Sequence, residues 1–186
     1  MLLFLFCEIK YLVMKNDILK ETYGMSYEDR MLYAFVGKPS KFDWYKKAFA
    51  KYSINGIEKV EWNWSWYAFF FNFFYLLYRK VYGISGLLFL FYLIFGSIGG
   101  IFGLILNIIF GGYLPFFVYK RYFKKKKDIE EHISNEDMRI ETMAIFGGTN
   151  NAIIYIVIIF AIFLFFISLF YFVNVVSFIS IVKSSI

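Results

Sequence analysis

His132 is the only histidine of the chain, and it stands beside two carboxylates, Glu130 and Glu131. Imidazole and carboxylate groups can bind a metal ion, but such a site needs three or four convergent ligands. The single cysteine, Cys7, excludes an intramolecular disulfide framework. No serine has a nucleophile-elbow context, and no glycine-rich loop carries a phosphate-binding lysine. The sequence therefore predicts no catalytic residue, no metal site and no cofactor.

A basic cluster at residues 120–127, KRYFKKKK, could contact phosphate groups, and its six positive charges equal the formal net charge of +6. Alternating basic and aromatic side chains can bind nucleic acid. This cluster, however, directly follows a long apolar run, where basic residues fix membrane orientation and attract anionic lipid headgroups. We predict a lipid partner and no nucleic acid for Lys120, Arg121, Lys124, Lys125, Lys126 and Lys127.

Two further sets of residues could bind a protein partner. Ser65, Asn72 and Arg79 recur every seven residues and would form a polar stripe on a helix. A second segment begins near Ser40 and has helical spacing of apolar residues. Its apolar face consists of Phe42, Tyr45, Phe49 and Tyr52. Both faces are predicted to contact a partner.

These residues belong to a chain of 186 residues that is 60% hydrophobic and 25% aromatic. Soluble domains are roughly 45–50% apolar. Residues 62–78, 81–119 and 142–182 carry no charged residue or histidine, and these runs are 17, 39 and 41 residues long. A membrane-spanning helix needs about 20 apolar residues. The composition predicts an all-α integral membrane protein.

The first run begins with four amphipathic aromatic residues, whose rings favour the headgroup level of a bilayer. They are Trp62, Trp64, Trp66 and Tyr67. We predict that residues 62–80 form one aromatic helix that lies at the interface or is partly embedded. A true span is the alternative, because 17 residues is the lower limit for crossing the hydrocarbon.

Residues 81–119 would measure about 58 Å as one helix, nearly twice the hydrocarbon thickness of about 30 Å. A glycine-rich cluster at residues 96–100 divides the run into arms of 15 and 19 residues. This division predicts a transmembrane hairpin, with the flanking basic residues on the same, cytoplasmic side. The alternative is one tilted span that ends near Gly111-Gly112.

The hairpin carries two weak signals for helix packing. Gly96 with Gly100, and Gly99 with Gly103, have the G-x-x-x-G spacing that permits close approach of helices. Asn107 is an amide inside the apolar run. It is predicted to form a hydrogen bond between helices, or else to line a pore.

The remaining segments complete the predicted architecture. Residues 1–61 lack a signal peptide's basic start and should form a small cytoplasmic region of amphipathic helices. The first helix has a cap at Ser26 and a stop at Gly37, and Asn55-Gly56 is a turn. Residues 120–151 are predicted as a basic, then mixed-charge, cytoplasmic segment. Residues 152–182 are predicted as one C-terminal transmembrane helix.

Residues 62–82, WNWSWYAFFFNFFYLLYRKVY, resemble the aromatic signature of a bacterial membrane family, the domain of unknown function numbered 2628. Residues 35–38, 119–127 and 147–149 follow that family's order of motifs. The family usually has Gly-Pro where this chain has Asn72-Phe73, and Gly-Asn where it has Leu114-Pro115, so the sequence gives no support for a bend at residue 72. The resemblance, over roughly residues 27–151, implies a bacterial inner-membrane protein and supplies no mechanism.

The leading functional hypothesis is a non-enzymatic scaffold or accessory subunit of the bacterial inner membrane, with a cytoplasmic N-terminus. It would bind a protein partner, or a second copy of itself, at the cytoplasmic face. An oligomeric permeation or membrane-perturbing protein is the alternative, and an interfacial lipid enzyme is a third reading. The absence of charged residues inside the apolar runs argues against coupled transport.

Overall fold

The computed structural model of the chain describes residues 18, 20–54, 57–95 and 100–184. The described residues form seven α-helices and a short antiparallel hairpin. The elements are α1 (Tyr27–Val36), α2 (Phe42–Tyr52), β1 (Ser53–Ile54), β2 (Ile57–Glu58), α3 (Trp66–Tyr78), α4 (Tyr82–Phe95), α5 (Ile101–His132), α6 (Glu136–Phe146) and α7 (Ala152–Ser184). Residues 1–149 and 150–186 form two compact units. The predicted helical fold class is confirmed, although the two-stranded β-hairpin of β1 and β2 was not predicted.

The two predicted amphipathic helices of the N-terminal region are present. The Ser26 side chain accepts a hydrogen bond from the Asp29 amide, and Gly37 ends α1 with a φ of 62°. A 3-10 turn at Pro39–Lys41 leads into α2, which buries four residues, Tyr45, Ala48, Phe49 and Tyr52. The predicted turn at residues 55–56 lies outside the described residues, between β1 and β2.

The aromatic helix begins later than predicted. Residues 62–65 are not helical, and α3 begins at Trp66 with the Ser65 side chain accepting a hydrogen bond from the Ala68 amide. The predicted helix over residues 62–80 was therefore wrong at its N-terminal end. The preceding segment instead docks on α5, where the Asn63 amide donates to the Gly112 carbonyl and the Ser65 amide donates to the Gly111 carbonyl.

This docking follows from the composition of α5 near Pro115. Proline has no amide hydrogen, so the carbonyl four residues earlier, that of Gly111, loses its helical partner. The Ser65 amide supplies that missing donor at 2.9 Å. Glycine at positions 111 and 112 leaves room for the rings of Trp64 and Trp62, which lie where Cβ atoms would stand.

Helix α3 bends at Asn72. The sequence offered no support for this bend, because the chain has Asn72-Phe73 where the family usually has Gly-Pro. Asn72 has a φ of 42° and a ψ of −113° inside the helix. Its amide nitrogen donates to Phe69 O and, at 3.0 Å, to Asn107 Oδ1. The Tyr92 hydroxyl donates to the same oxygen at 2.9 Å. Asn107 therefore joins α3, α4 and α5, as the interhelical prediction required.

The described residues of the run 81–119 form two helices, one that ends at Phe95 and one that begins at Ile101. The Tyr92 hydroxyl donates to Asn107 across them, which favours the hairpin over one tilted span. Helix α5 does not end with the apolar run but continues through the basic cluster to His132, over 32 residues, about 48 Å. Gly96 and Gly99 lie outside the described residues. Gly100 precedes α5 with a φ of 75°, so it serves the turn, and Gly103 lies in the helix's first turn.

The first unit has two ends of different character. The apolar end consists of α4 and the first half of α5, and the helical end consists of α1, α2, α6 and the second half of α5, which enclose a buried core. Helix α4 and the first half of α5 expose large apolar side chains, among them Leu87, Leu93, Ile101 and Leu104. The second half of α5 is instead packed against α1, α2 and α6. Its contribution to the core is Leu114, Phe116, Val118, Tyr119, Tyr122 and Ile129.

Among the described residues, two helices are long and apolar enough to cross a membrane, Ile101–His132 and Ala152–Val175. Helix α4, at 14 residues, is about 21 Å long and shorter than the hydrocarbon core. The described side chains of α7, up to Val175, are exposed almost throughout. The predicted C-terminal helix is confirmed as a helix.

The shared oxygen of Asn107 should stabilise the apolar end measurably. Replacing it with leucine, Asn107→Leu, leaves the Asn72 amide and the Tyr92 hydroxyl without their acceptor. We expect the free energy of unfolding in detergent to fall by about 1 kcal/mol. Tyr92→Phe removes only one of the two bonds and should cost about half as much. Fully additive losses in the double variant would contradict the shared acceptor.

Candidate functional site

Four distant segments of the first unit meet at one place, and each belongs to a stretch that carries the resemblance. The Gly148 amide donates to Phe35 O at 2.8 Å, which joins the end of α6 to the end of α1. The end of α3 and the middle of α5 complete the cluster. We call this place the basic junction and define it by four cations: Lys38, Arg79, Lys80 and Arg121.

Arg79 forms the buried floor of the basic junction, with 3% of its surface exposed. Its Nη1 donates to Val36 O at 3.1 Å, and its guanidinium carbon lies 4.6 Å from the ring centre of Tyr45. Its Nε and Nη2 are buried and have no hydrogen-bond partner in the described structure. Such unpaired donors are costly, because desolvation is not repaid by a new hydrogen bond.

Lys80 holds a backbone position where glycine is usual. The Val81 amide donates to Leu76 O and the Lys80 amide donates to Leu77 O, which is the pattern that ends helices with a left-handed residue. Lys80 is that residue, with a φ of 60°, and an L-residue pays about 1 kcal/mol there. Its ammonium group donates to Gly147 O. Burial, followed by the nearby charges of Arg121 and Arg79, lowers the pKa of Lys80.

Arg121 links the ends of two helices. Its Nη1 donates to Arg79 O at 3.2 Å, and its Nη2 donates to Phe146 O at 2.7 Å. Helices α1, α3 and α6 have no basic residue in their own last turns. The partial negative charge of a helix C-terminus favours a cation nearby. Arg79, Lys80 and Arg121 supply that cation from elsewhere in the chain to all three ends.

The potential at the basic junction is positive. Within the described residues, no ion pair joins Arg79, Lys80 or Arg121 to a carboxylate. The Lys38 ammonium donates to the Tyr78 hydroxyl. Burial raises the pKa of Tyr78, but hydrogen bonds from Lys38 and Thr149 outweigh it, so the pKa lies below its usual value. The cations thus outnumber the local anions.

No family model matches the chain. No curated protein and no solved structure matches it either. The resemblance of residues 62–82 to the domain of unknown function numbered 2628 therefore stays a prediction.

The predicted lipid-facing cluster does not face one way. Lys126 forms an ion pair with Glu28 at 2.5 Å, and Lys125 lies over the Phe146 ring at 4.8 Å. Lys127 pairs with Glu131 at 3.8 Å, and Arg121 belongs to the basic junction. Lys120 and Lys124 are exposed. Of the six basic residues, Arg121, Lys125 and Lys126 are engaged in the fold, because a helix distributes eight successive residues around all its sides.

The predicted partner-binding faces are buried in the chain itself. Ser65, Asn72 and Arg79 are 6%, 9% and 3% exposed, and each forms hydrogen bonds within the fold. Tyr45 and Phe49 are 6% and 5% exposed. Phe42 is half-buried, and its ring lies 5.5 Å from that of Tyr33. These faces pack against the protein's own helices, with Phe42 only half-buried, so burial gives the predicted partner contact no support and it stays a prediction.

The predicted interfacial aromatics separate into two pairs. Trp62 and Trp64 lie against Gly112 and Gly111 of α5 and stack with ring centres 6.3 Å apart. Trp66 and Tyr67 are 62% and 56% exposed on the first turn of α3. Trp66 and Tyr67 are therefore available to a bilayer interface, and Trp62 also keeps 45% of its surface exposed beside α5.

His132 lies at the end of α5, away from the basic junction's contacts. Its Nδ1 is 2.7 Å from the carbonyl oxygen of Asp128 in the same helix, and the side chain is exposed. No group of three or more histidine, cysteine, aspartate or glutamate side chains comes together within the described parts of the chain.

Proposed function

We propose that this protein is a membrane-anchored, non-enzymatic scaffold that presents its helical end to a protein partner at the cytoplasmic face of a bacterial membrane. The observation that supports it is the division of the first unit. Helix α4 and the first half of α5 expose large apolar side chains, whereas α1, α2 and α6 surround a buried core. Apolar side chains exposed over so long a stretch favour lipid over water.

The basic residues support the predicted orientation. Arg121 donates to Arg79 O, so the chain leaves the basic junction after Lys80 and returns to it before residue 122. Both flanking groups of basic residues then lie on one side of a bilayer that holds the apolar end. Basic residues favour the cytoplasmic side, which places the helical end there in this proposal.

The permeation alternative has weaker support. A pore needs polar groups that are free to contact water or ions. The amide oxygen of Asn107 instead accepts from both Asn72 and Tyr92. These polar groups of the apolar end bind one another, which favours a packing role.

Membrane fractionation and crosslinking test this proposal. The full-length chain should stay in the membrane pellet after alkaline carbonate washing, and reporters fused after Lys80 and Lys127 should give cytoplasmic signals. Crosslinking in native membranes should capture a partner protein. Recovery as a soluble monomer without detergent would refute the membrane anchor. Retention in the membrane with no crosslinked partner would refute the scaffold function alone.

A further inference from the structure

The charges of the basic junction do not balance within the fold. Arg79, Lys80 and Arg121 carry three positive charges and contact the C-terminal ends of α1, α3 and α6. Each helix end acts as roughly half a negative charge. If all three helix ends contribute their full half charge, the three cations still leave a net charge of about +1.5 at the junction. No carboxylate among the described residues pairs with these three cations, so one anion would balance the junction.

Capping helix ends alone does not explain this arrangement. The guanidinium of Arg79 is almost fully buried, and two of its nitrogens have no hydrogen-bond partner in the described structure. Lys80 adopts a left-handed backbone conformation that glycine would adopt without strain. Strained residues and unpaired buried donors persist where a binding function requires them.

The outer side of the junction has donors to spare. A lysine ammonium group has three donor hydrogens and an arginine guanidinium has five. Lys80 and Arg121 use one and two of them on carbonyl oxygens in the described structure. Lys38 is exposed, whereas Lys80 and Arg121 are half-buried. Donors that these carbonyl oxygens do not use therefore remain on three side chains that are exposed or half-buried.

The junction also lies at the boundary of the apolar end. Lys80 is followed two residues later by α4, which exposes apolar side chains from its first turn onward, and Tyr82 is 54% exposed there. In a bilayer that holds α4, this boundary coincides with the headgroup layer, where phosphate groups are concentrated.

We propose that the basic junction binds a phosphate group, contacted by Lys80 and Arg121 with Lys38 at the rim, and that an anionic lipid headgroup supplies it. Arg79 acts from below as a fixed positive charge. The lipid source rests on the proposed membrane location, whereas the phosphate chemistry does not, since the same donors would bind inorganic phosphate in detergent.

Binding to the purified full-length protein in neutral detergent tests this inference. The probes are short-chain phosphatidylglycerol, short-chain phosphatidylcholine and inorganic phosphate, and the readout is the thermal unfolding midpoint against probe concentration. Two variants alter the junction, Lys80→Gly and Arg121→Gln. Lys124→Gln removes the same charge from an exposed position three residues along α5 and is the matched control.

Phosphatidylglycerol should raise the midpoint more than phosphatidylcholine does, and both junction variants should bind it about tenfold more weakly. The control should stay within about twofold, because an exposed lysine contributes little. Lys80→Gly should keep its own midpoint without lipid, since relief of backbone strain offsets the lost hydrogen bond. Weaker lipid binding by Lys80→Gly, together with an unchanged unfolding midpoint in the absence of lipid, would separate a binding role of Lys80 from a structural one.

Three outcomes decide the inference. Equal weakening in Lys124→Gln would overturn the site, because it would show attraction to the general basic surface. No preference for phosphatidylglycerol and no response to inorganic phosphate would also overturn it. A response to inorganic phosphate alone would support the phosphate site and overturn its lipid source. If the chain is soluble without detergent and still binds inorganic phosphate, the membrane proposal fails and the phosphate site stands.

Discussion

Gly147→Ala is expected to lower the free energy of unfolding of the first unit by about 3 kcal/mol. A Cβ atom at residue 147 would stand 2.6 Å from Phe35 Cα and 2.8 Å from Met143 O. Both neighbours are backbone atoms, so no side chain can rotate to make room. Helix α1 must move away from the end of α6, which breaks the bond from the Gly148 amide to Phe35 O.

Tryptophan fluorescence during denaturation in detergent measures this change. All four tryptophans lie before residue 67 and belong to the first unit, so their emission reports on its unfolding. Gly86→Ala is the control, since nothing lies within 4 Å of a Cβ at that position in α4. It should leave stability unchanged or raise it slightly, because alanine favours a helix over glycine by up to about 1 kcal/mol. Equal stability of the Gly147→Ala and Gly86→Ala variants would contradict the close contact between α1 and α6.

Local signals predicted the helices whose ends are set by neighbouring residues. Ser26 caps α1 through the amide three residues later, and Gly37 ends it with a positive φ. Both effects depend on the chain within one helical turn, so the sequence displays them directly. The long uncharged runs predicted α4, α5 and α7 for a similar reason, because length and apolar composition belong to the segment itself.

The direction of a helical face could not be predicted in the same way. The seven-residue spacing of Ser65, Asn72 and Arg79 predicts one stripe, and all three residues are buried in the fold, but spacing does not say which neighbour covers them. In the fold, Asn72 contacts Asn107, thirty-five positions along the chain, and Arg79 contacts the end of α1. In apolar surroundings, polar groups gain most by turning towards other polar groups of the same protein.

The basic junction was missed because its members are scattered. Lys38, Arg79, Lys80 and Arg121 belong to three separate stretches, and the basic residues at 79–80 and 120–127 already have an adequate explanation as flanking charge. One signal was available: Lys80 is the second residue after the aromatic helix α3, a position where glycine commonly ends a helix. A non-glycine residue at a predicted left-handed position indicates that its side chain is needed.

The start of α3 shows how a distant segment overrides local composition. Residues 62–65 share the aromatic character of the helix that follows, although Trp62 and Trp64 alternate with Asn63 and Ser65 in the two-residue period of extended chain. Their amides instead bond to the carbonyls of Gly111 and Gly112, nearly fifty positions later. The sequence clue is the pair of glycines placed shortly before Pro115, because a proline releases a carbonyl and glycines admit large rings beside it.

Gly112→Ala tests that docking. A Cβ atom at residue 112 would stand 2.5 Å from the ring of Trp62, so the ring must leave the helix and strain the bond from the Asn63 amide to Gly112 O. We expect the free energy of unfolding to fall by about 2 kcal/mol, measured by denaturation in detergent. Tryptophan emission should also shift to longer wavelength, since the displaced indole enters a wetter environment.

The clash at Gly112 differs from that at Gly147 in one testable respect. The neighbour at residue 112 is a side chain, so shortening it with Trp62→Ala should remove most of the penalty of Gly112→Ala in the double variant. No such rescue is expected for Gly147→Ala when the Phe35 ring is shortened, because there the obstacle is backbone. Additive losses for Gly112→Ala and Trp62→Ala would show that Trp62 does not rest on α5, and the extended start of α3 would then need another cause.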